Sequence, residues 1–165
     1  MFKRFSAFVL ALVLLLGLLP GVRAESAVIA SGTAGEDIIW MLDDSYGLTL
    51  TGTGEMYDYK SGTRPWQDYV EQILSVEIGE GITSVGNYAF FSCDNLQSVS
   101  LPSTLVRAGI DSFSYCKVLS SVEFPDGMQE LGDAIFFRCE NLTREQFLEE
   151  LGDFDRDRIK FLVCQ

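Results

Sequence analysis

The sequence predicts a mixed, β-rich solenoid in which short strands stack coil upon coil. Three observations lead to this expectation: a repeat with a period of 23 residues, an alternation of apolar and polar residues at the start of each unit, and a glycine at one fixed position within it. The units occupy residues 75–97, 98–120 and 121–143, and they align without a gap. Three such units with a cap at each end are about the minimum for a stable array.

Six columns of the aligned units hold a single residue type. They are serine (Ser75, Ser98, Ser121), valine (Val76, Val99, Val122), glycine (Gly86, Gly109, Gly132), phenylalanine (Phe90, Phe113, Phe136), cysteine (Cys93, Cys116, Cys139) and leucine (Leu96, Leu119, Leu142). Fully matched columns at one spacing indicate a repeat architecture in which each unit forms one coil.

Each unit begins with a pattern typical of a short strand with one buried face. In the second unit Val99 and Leu101 alternate with Ser98 and Ser100, and Pro102 then ends the ladder because it has no amide donor. The glycine column permits a tight turn or a close backbone approach. One coil cannot bury its apolar groups alone, whereas stacked coils can, because their strands pair about 4.8 Å apart.

The first 24 residues have the three-part pattern of a secretory signal peptide. Lys3 and Arg4 form a basic start, an apolar run covers residues 5–19, and residues 22–24 offer small side chains to a signal peptidase. The alternative is an uncleaved anchor, but this run of fifteen is shorter than the roughly 20 residues that span hydrocarbon. No cysteine follows to carry a lipid. We predict cleavage after residue 24 and no stable membrane span in the mature chain.

The charge argues against one class of partner. The whole chain carries a net charge of −12, and cleavage would make it −15 because three basic residues and no acidic ones leave with the signal. Such a surface repels phosphate backbones, and no basic stripe offsets it. We therefore expect no nucleic-acid binding.

Residues 25–74 are predicted to form a small β-rich N-terminal cap. Residues 38–42 are a β-branched and aromatic run, a turn follows at 43–47, and residues 48–51 return, which indicates an antiparallel pair. Residues 66–73 are predicted as a short helix entering the first coil. The cap would cover the apolar end of that coil, which otherwise faces water.

Residues 144–165 are predicted to form a C-terminal cap. Thr143 and Gln146 match a capping box, and the apolar residues that follow share one helical face up to Gly152. The pattern favours a helix over 144–151 that covers the other end of the solenoid. Alternating apolar residues near the C-terminus add a short strand.

Three motifs recur in the units: S-V-x-[IL]-P, [IV]-G-x-x-A-F, seen best from Val85 to Phe90, and [FY]-x-C-x-x-L. They resemble the motifs of the BspA-type leucine-rich-repeat family of secreted and surface proteins. The resemblance extends to residues 30–33, 40–43, 48–54 and 64–66, which are similar to a small module that often precedes such repeats. It implies stacked leucine-rich-repeat coils.

The residue types give little support to catalysis. The chain has no histidine, which removes the usual general base and the commonest metal ligand. The neighbouring carboxylates at 43–44 and 149–150 fit solvated charge better than a catalytic pair. Residues 153–157 resemble the start of a calcium loop, but Arg158 stands at its glycine position and Cys164 at its glutamate position. We predict no catalytic residue, no metal site and no cofactor.

The cysteines and tryptophans are expected to pack in the hydrophobic core. Three of the four cysteines share one column and are predicted to be buried free thiols, with a disulfide to Cys164 or a metal site as alternatives. Trp40 and Trp66 could stack on sugars, but a cap that needs large apolar filler favours core packing.

The family resemblance implies a non-catalytic extracellular module for adhesion or interaction. Its partner would be a protein or a glycan on a host or neighbouring cell. The alternative is a structural, display or spacer segment of an envelope protein with no ligand of its own.

The predicted binding surface follows from strand geometry. The valine and the next apolar residue of each strand point inward, so the residue between them points outward. The hypothetical ligand-binding residues are therefore an exposed row of Glu77, Ser100 and Glu123, flanked by Ser75, Ser98 and Ser121. Leucine-rich repeats usually curve with this face concave. The alternative is that these are only solvated strand positions.

Overall fold

A computed structural model describes residues 26–142. The elements are β1 (Val28–Thr33), β2 (Gly35–Asp43), β3 (Gly47–Met56), a 3-10 turn (Gln67–Tyr69), β4 (Ser75–Ile78), β5 (Ile82–Val85), β6 (Ser98–Ser100), β7 (Arg107–Ala108) and β8 (Glu130–Leu131). The predicted signal peptide and the predicted C-terminal cap, with its helix at 144–151, lie outside the described residues.

The long strand β3 joins two sheets. It pairs antiparallel with β2, its residues 47–50 pair parallel with β4, and its residues 54–55 pair parallel with β5. Gly52 lies between the two halves with φ of 133°, and a Cβ there would lie 1.9 Å from the Asp37 carbonyl oxygen. The chain therefore turns at a residue that only glycine can fill. One sheet runs β1-β2-β3-β4-β6, and the other runs β3-β5-β7-β8.

A third ladder closes each coil on the side that we call the turn side, formed by residues 86–96 and their equivalents. Its backbone bonds join the first coil to the second (Tyr88 to Ile110, Phe90 to Ser112, Ser92 to Ser114) and the second to the third (Asp111 to Asp133, Phe113 to Ile135, Tyr115 to Phe137). In each bond the earlier coil donates its N–H and the later coil accepts. The donor–acceptor distances are 2.7–3.0 Å, which is ordinary hydrogen-bond geometry.

The phenylalanine column forms a continuous stack inside the coils. The rings of Phe90 and Phe113 have centroids 5.3 Å apart, and those of Phe113 and Phe136 are 5.7 Å apart. Trp66 extends the stack at the other end, 5.7 Å from Phe90 and within 16° of parallel. Beside the rings, the buried thiol of Cys116 donates to the Phe90 carbonyl at 3.3 Å. Like residues thus pack on like residues from coil to coil.

The glycine column marks close backbone approach between coils. A Cβ on Gly109 would lie 2.6 Å from the backbone nitrogen of Asn87, and a Cβ on Gly132 would lie 2.3 Å from that of Ile110. Both distances are below contact, so a side chain at either glycine would push the coils apart. Of the two roles predicted for this column, the structure shows close approach.

The N-terminal segment takes the place of a preceding coil on the turn side. The carbonyls of Asn87, Ala89 and Phe91 are equivalent to those that accept ladder bonds in the second coil. Here they accept from the backbone N–H of Tyr59 at 3.0 Å, from the Trp66 indole Nε1 at 3.0 Å and from a guanidinium N–H of Arg64. Two side chains and one amide thereby supply the donors that a coil would supply with its backbone.

Arg64 is buried for this structural reason. Its side chain also donates to the Tyr88 carbonyl at 3.1 Å and to Gln67 Oε1 at 2.7 and 3.1 Å. Burial lowers the pKa of its guanidinium, and the carbonyl and amide partners offset the cost of desolvating the charge. Arg64 lies in the arginine-proline-tryptophan segment that carried part of the family resemblance.

The prediction for the N-terminal region is confirmed in its antiparallel pair and wrong in its helix. Strands β2 and β3 form the pair, and β1 adds a third strand that the sequence patterns did not indicate. Residues 66–73 do not form a helix but only the 3-10 turn. Eight residues are too few for a helix stable by itself, and the side chain of Trp66 is bound to the first coil. The predicted boundary at residue 74 stays a prediction.

The strand expected at the start of the third unit is also absent. Residues 121–124 are not in a strand, although Val122 is buried like Val76. The side chains keep their alternation while the backbone ladder ends at β6. Within residues 26–142 this segment has a possible strand partner on one side only, in β6, and a strand with one partner is less supported than a strand with two.

Candidate functional site

The outer face of the first sheet is the candidate site, and alternation in the strands creates it. In β4 the side chains of Val76 and Ile78 are buried, so Glu77 between them is exposed. β4 and β6 pair in parallel with Glu77 opposite Ser100, which brings these two predicted residues side by side.

The other predicted residues lie around this pair. Glu123 is exposed but belongs to the segment without a ladder, so no strand pairing holds it beside Ser100. Ser98 and Ser121 are exposed, and Ser75 is half-buried near the start of β3. The structure thus brings Glu77 and Ser100 together on paired strands, with Ser75 opposite Ser98, and leaves the third unit less fixed.

The structure extends this row onto the N-terminal strands, which sequence reasoning missed. Thr49 lies opposite Glu77, Met41 opposite Thr49, and Ser31 opposite Met41. Met41 and Thr49 are half-buried, and the other members of the row are exposed. The outward-facing row therefore crosses β1, β2, β3, β4 and β6 without a break, over roughly 19 Å at the usual spacing between strands. We call this surface the strand face. The alternation of leucine and threonine in residues 48–51 contained part of the signal, but not the register that joins β3 to β4.

The centre of the strand face is more apolar than the predicted row. Ile39 has an exposed fraction of 39%, and its neighbour on the same face, Met41, is half-buried. Thr51 lies opposite Ile39, and Thr49 lies opposite Met41. A protein interface commonly has an apolar centre and a polar rim, and methionine is enriched at such surfaces. The face thus combines two apolar side chains with hydroxyls and, at one side, the carboxylate of Glu77.

The turn carboxylates have separate roles. Asp43 Oδ1 accepts hydrogen bonds from the backbone N–H groups of Ser45 and Gly47, both at 2.9 Å, so its carboxylate holds the β2–β3 turn. Asp44 is exposed. The pair at 43–44 is therefore one turn-forming carboxylate and one solvated carboxylate.

The cysteine column has the properties of core filler. Cys93, Cys116 and Cys139 are buried free thiols, and Cys164 lies outside the described residues. Burial raises the pKa of Cys93 to about 12 and that of Cys116 well above its ordinary value. The thiols of Cys93 and Cys116 therefore stay protonated at neutral pH, whereas nucleophiles and metal ligands need the thiolate.

The two tryptophans are packed in the core, which confirms the favoured prediction. Trp40 and Trp66 have exposed fractions of 4% and 0%, and their rings meet edge to face with centroids 5.8 Å apart. Neither presents a free face to a sugar.

The described part of the chain contains neither a metal-binding cluster nor a membrane-spanning helix. Residues 26–142 bring no three histidine, cysteine, aspartate or glutamate side chains close enough to hold a metal ion. Within the same residues, no helix has the length and apolar character needed to cross a membrane.

Comparison with known proteins agrees with this architecture. The profile described as "BspA type Leucine rich repeat region (6 copies)" matches residues 68–159, more than half of the chain. No curated protein matches the sequence. A leucine-rich repeat protein of Eubacterium ventriosum, known from its crystal structure, is 32% identical with a TM-score of 0.57, over 66% of this chain and 36% of that one. The leucine-rich repeat protein of T. pallidum is 22% identical with a TM-score of 0.46, over 67% and 58% of the two chains.

The present chain thus spans about a third of the length of the Eubacterium protein (36%). The repeat columns seen in the sequence become stacked coils in the structure, and the profile match includes all three of them. The chain belongs to the BspA-type leucine-rich-repeat family.

Proposed function

We propose that the chain is a secreted or cell-surface module that binds an extracellular protein through its strand face and has no catalytic activity. The observation that carries the proposal is the unbroken outward-facing row across five strands, where the half-buried Met41 and Thr49 are in register with the exposed Glu77. Leucine-rich repeats present such extended surfaces to partners, and rigid strands fix the spacing of the contacts.

The chemistry of the strand face favours a protein with a basic patch. Ile39 and Met41 supply apolar contact area, while Glu77 and the exposed Glu123 supply negative charge at the other side. The net charge of −12 for the whole chain adds a long-range field that attracts a basic partner and repels an anionic one. The partner would be carried by a host or neighbouring cell, which makes the module an adhesin.

Secretion is part of this proposal. Residues 1–24 would be removed by signal peptidase, so the mature chain would begin at Glu25. Mass spectrometry of the exported protein should find that N-terminus. Exported protein that retains Met1 to Ala24 would contradict the proposal. The helix at 144–151 is proposed as the cover of the last coil.

Binding is tested with a charge reversal on the strand face. The mature chain is immobilised and exposed to host and bacterial surface extracts, beside the double variant Glu77→Lys/Glu123→Lys. Exposed substitutions usually change stability by less than about 0.5 kcal/mol, so the variant should fold like wild type. We expect it to lose the captured partner. A second double variant, Asp126→Lys/Glu140→Lys, makes the same charge change at exposed positions off the predicted row and should keep it.

Two results would contradict the proposal. A partner bound equally by wild type and the strand-face variant would place binding elsewhere. No captured protein at all would favour the alternative function, a display or spacer segment without a ligand.

A further inference from the structure

A groove on the turn side of the coils is separate from the strand face. It has a volume of about 330 Å³ and lies between the connecting segment at residues 61–71 and the first two coils. A volume near the lower end of the range for ligand pockets suits one small ring and not a long peptide.

One wall of the groove is aromatic. The rings of Phe91 and Tyr115 both line it, are half-buried, and have centroids 5.3 Å apart at an interplanar angle of 58°. They belong to an outer aromatic row that continues to Tyr88 on one side and to Phe137 on the other. Unlike the core stack, this row keeps part of each ring open to solvent.

Apart from Gly62 and Val70, the rest of the lining is polar, and it carries no net charge. Arg64 and Lys117 are balanced by Glu71 and Asp94, and Lys117 Nζ lies 2.5 Å from Asp94 Oδ2. The guanidinium of Arg64 already donates hydrogen bonds to carbonyls of the first coil and to the Gln67 side chain.

Several polar groups of the groove have no hydrogen-bond partner among residues 26–142. They are the Gln67 amide nitrogen, the Glu71 carboxylate and the hydroxyls of Ser61, Ser92 and Tyr115. The lining therefore offers one free amide donor, one free pair of carboxylate acceptors and three hydroxyls, grouped around an aromatic wall.

We propose that this groove binds a neutral hexose ring, either a single sugar or one unit of a glycan. A pyranose has an apolar C–H face, which would lie on Phe91 and Tyr115, and a rim of hydroxyls that both donate and accept. Glu71 would accept from those hydroxyls, and Gln67 would donate to them. The balanced charges give no advantage to an anionic or cationic ligand. The site is independent of the strand face.

Saturation-transfer NMR on the mature chain tests the proposal, with the methyl glycosides of glucose, galactose, mannose and N-acetylglucosamine as probes. We expect at least one glycoside to bind with millimolar affinity and to receive saturation mainly on one face of its ring. Phe91→Ala should weaken binding by about tenfold. Phe137→Ala removes a ring from the same repeat column and the same aromatic row, but outside the groove, and should leave binding unchanged.

A second variant distinguishes a loss of binding from a loss of folding. Glu71→Ala changes an exposed residue whose carboxylate has no partner in the described residues, and it should weaken binding while the melting temperature stays at the wild-type value. Glu130→Ala, at an exposed position of strand β8 outside the groove lining, is its control. The proposal is overturned if no glycoside binds wild type, if Phe91→Ala and Phe137→Ala weaken binding equally, or if an acidic peptide binds the groove and the glycosides do not.

Discussion

The strand side and the turn side of the same coils hold their neighbours in different ways. On the strand side the parallel ladder shortens from four residues in β4 to three in β6, and the third unit forms none. On the turn side each coil donates three hydrogen bonds to the next, and the same pattern joins all three coils. The phenylalanine stack and the buried thiols follow the turn side as well.

The difference shows which side carries the stacking and which is free for recognition. Exposed strand positions hold Glu77, Ser100 and Glu123, three side chains that make no contact needed between coils. A binding surface can vary there without loosening the solenoid, because the turn side fixes the coil spacing. Binding residues commonly lie at surface positions that a rigid scaffold holds in place.

The largest difference between the two sides should appear when a core ring is removed. Phe113 is fully buried between the rings of Phe90 and Phe136. Phe113→Ala should lower the free energy of unfolding by about 3–5 kcal/mol through lost contacts and a cavity. Ser100→Ala on the strand face should change it by less than about 0.5 kcal/mol. Urea unfolding of both variants measures this, and comparable losses would refute the division of roles.

The turn side also contains backbone strain that can be relieved. Six residues other than glycine have a left-handed φ of 53–63° at two fixed positions of the coil: Tyr88, Asp111 and Ala134 at one, Ser92, Tyr115 and Arg138 at the other. A left-handed conformation costs an L-residue roughly 1–2 kcal/mol, and glycine avoids most of that cost.

Ala134→Gly should therefore stabilise the protein, by about 0.5–1 kcal/mol after the entropy of glycine in the unfolded chain is subtracted. The matched variant Ala30→Gly places glycine at a half-buried position of strand β1, where the same entropy is lost without any relief of strain, and should destabilise by about 1 kcal/mol. Thermal unfolding of the two variants gives the comparison. Destabilisation by both would show that the left-handed backbone carries no strain.

A smaller effect is expected from an exposed contact between the first and second coils. Glu80 accepts hydrogen bonds from the Ser103 backbone N–H at 2.9 Å and hydroxyl at 3.0 Å, and these lower the pKa of its carboxyl below the ordinary value of 4.5. A lowered pKa in the folded state adds stability above pH 4.5, which is lost as the pH falls through the folded-state pKa.

Glu80→Gln should consequently melt slightly below wild type at pH 7, and the gap should close as the pH falls below 4.5. Glu77→Gln removes a carboxylate without a hydrogen-bond partner in the described residues and should not show the gap at pH 7. A gap for Glu80→Gln that stays constant with pH would exclude the contribution of this carboxylate.

The columns of the repeat could be predicted because stacking repeats the same contact, so the same residue type recurs at the same spacing. The alignment predicts that Cys116 and its equivalents are buried, and the structure buries Cys116 together with Phe90 and Phe113 of the phenylalanine column. The exposure of Glu77 and Ser100 followed from strand alternation in the same way. A contact that recurs in every coil is therefore marked by the same residue type at the same position of every repeat.

Contacts made once could not be predicted in this way. Arg64 and Trp66 each replace one donor of a missing coil, and no second copy in the chain reveals that role. The register of Thr49 beside Glu77 depends on the fold of β3, which bends at Gly52 to serve two sheets. The groove proposed for a sugar joins residues 61–71 to two different coils, so no single sequence motif contains it.

The most direct test of the claim that the N-terminal segment replaces a coil compares Trp66→Phe with Trp40→Phe. Both indoles are buried, but Trp66 Nε1 donates to the Ala89 carbonyl, whereas Trp40 Nε1 has no partner among residues 26–142. The two substitutions remove similar volume, so the difference in unfolding free energy isolates the hydrogen bond. We predict that Trp66→Phe costs about 1–2 kcal/mol more, because it leaves a buried carbonyl unpaired. An equal cost, or a larger one for Trp40→Phe, would contradict the claim.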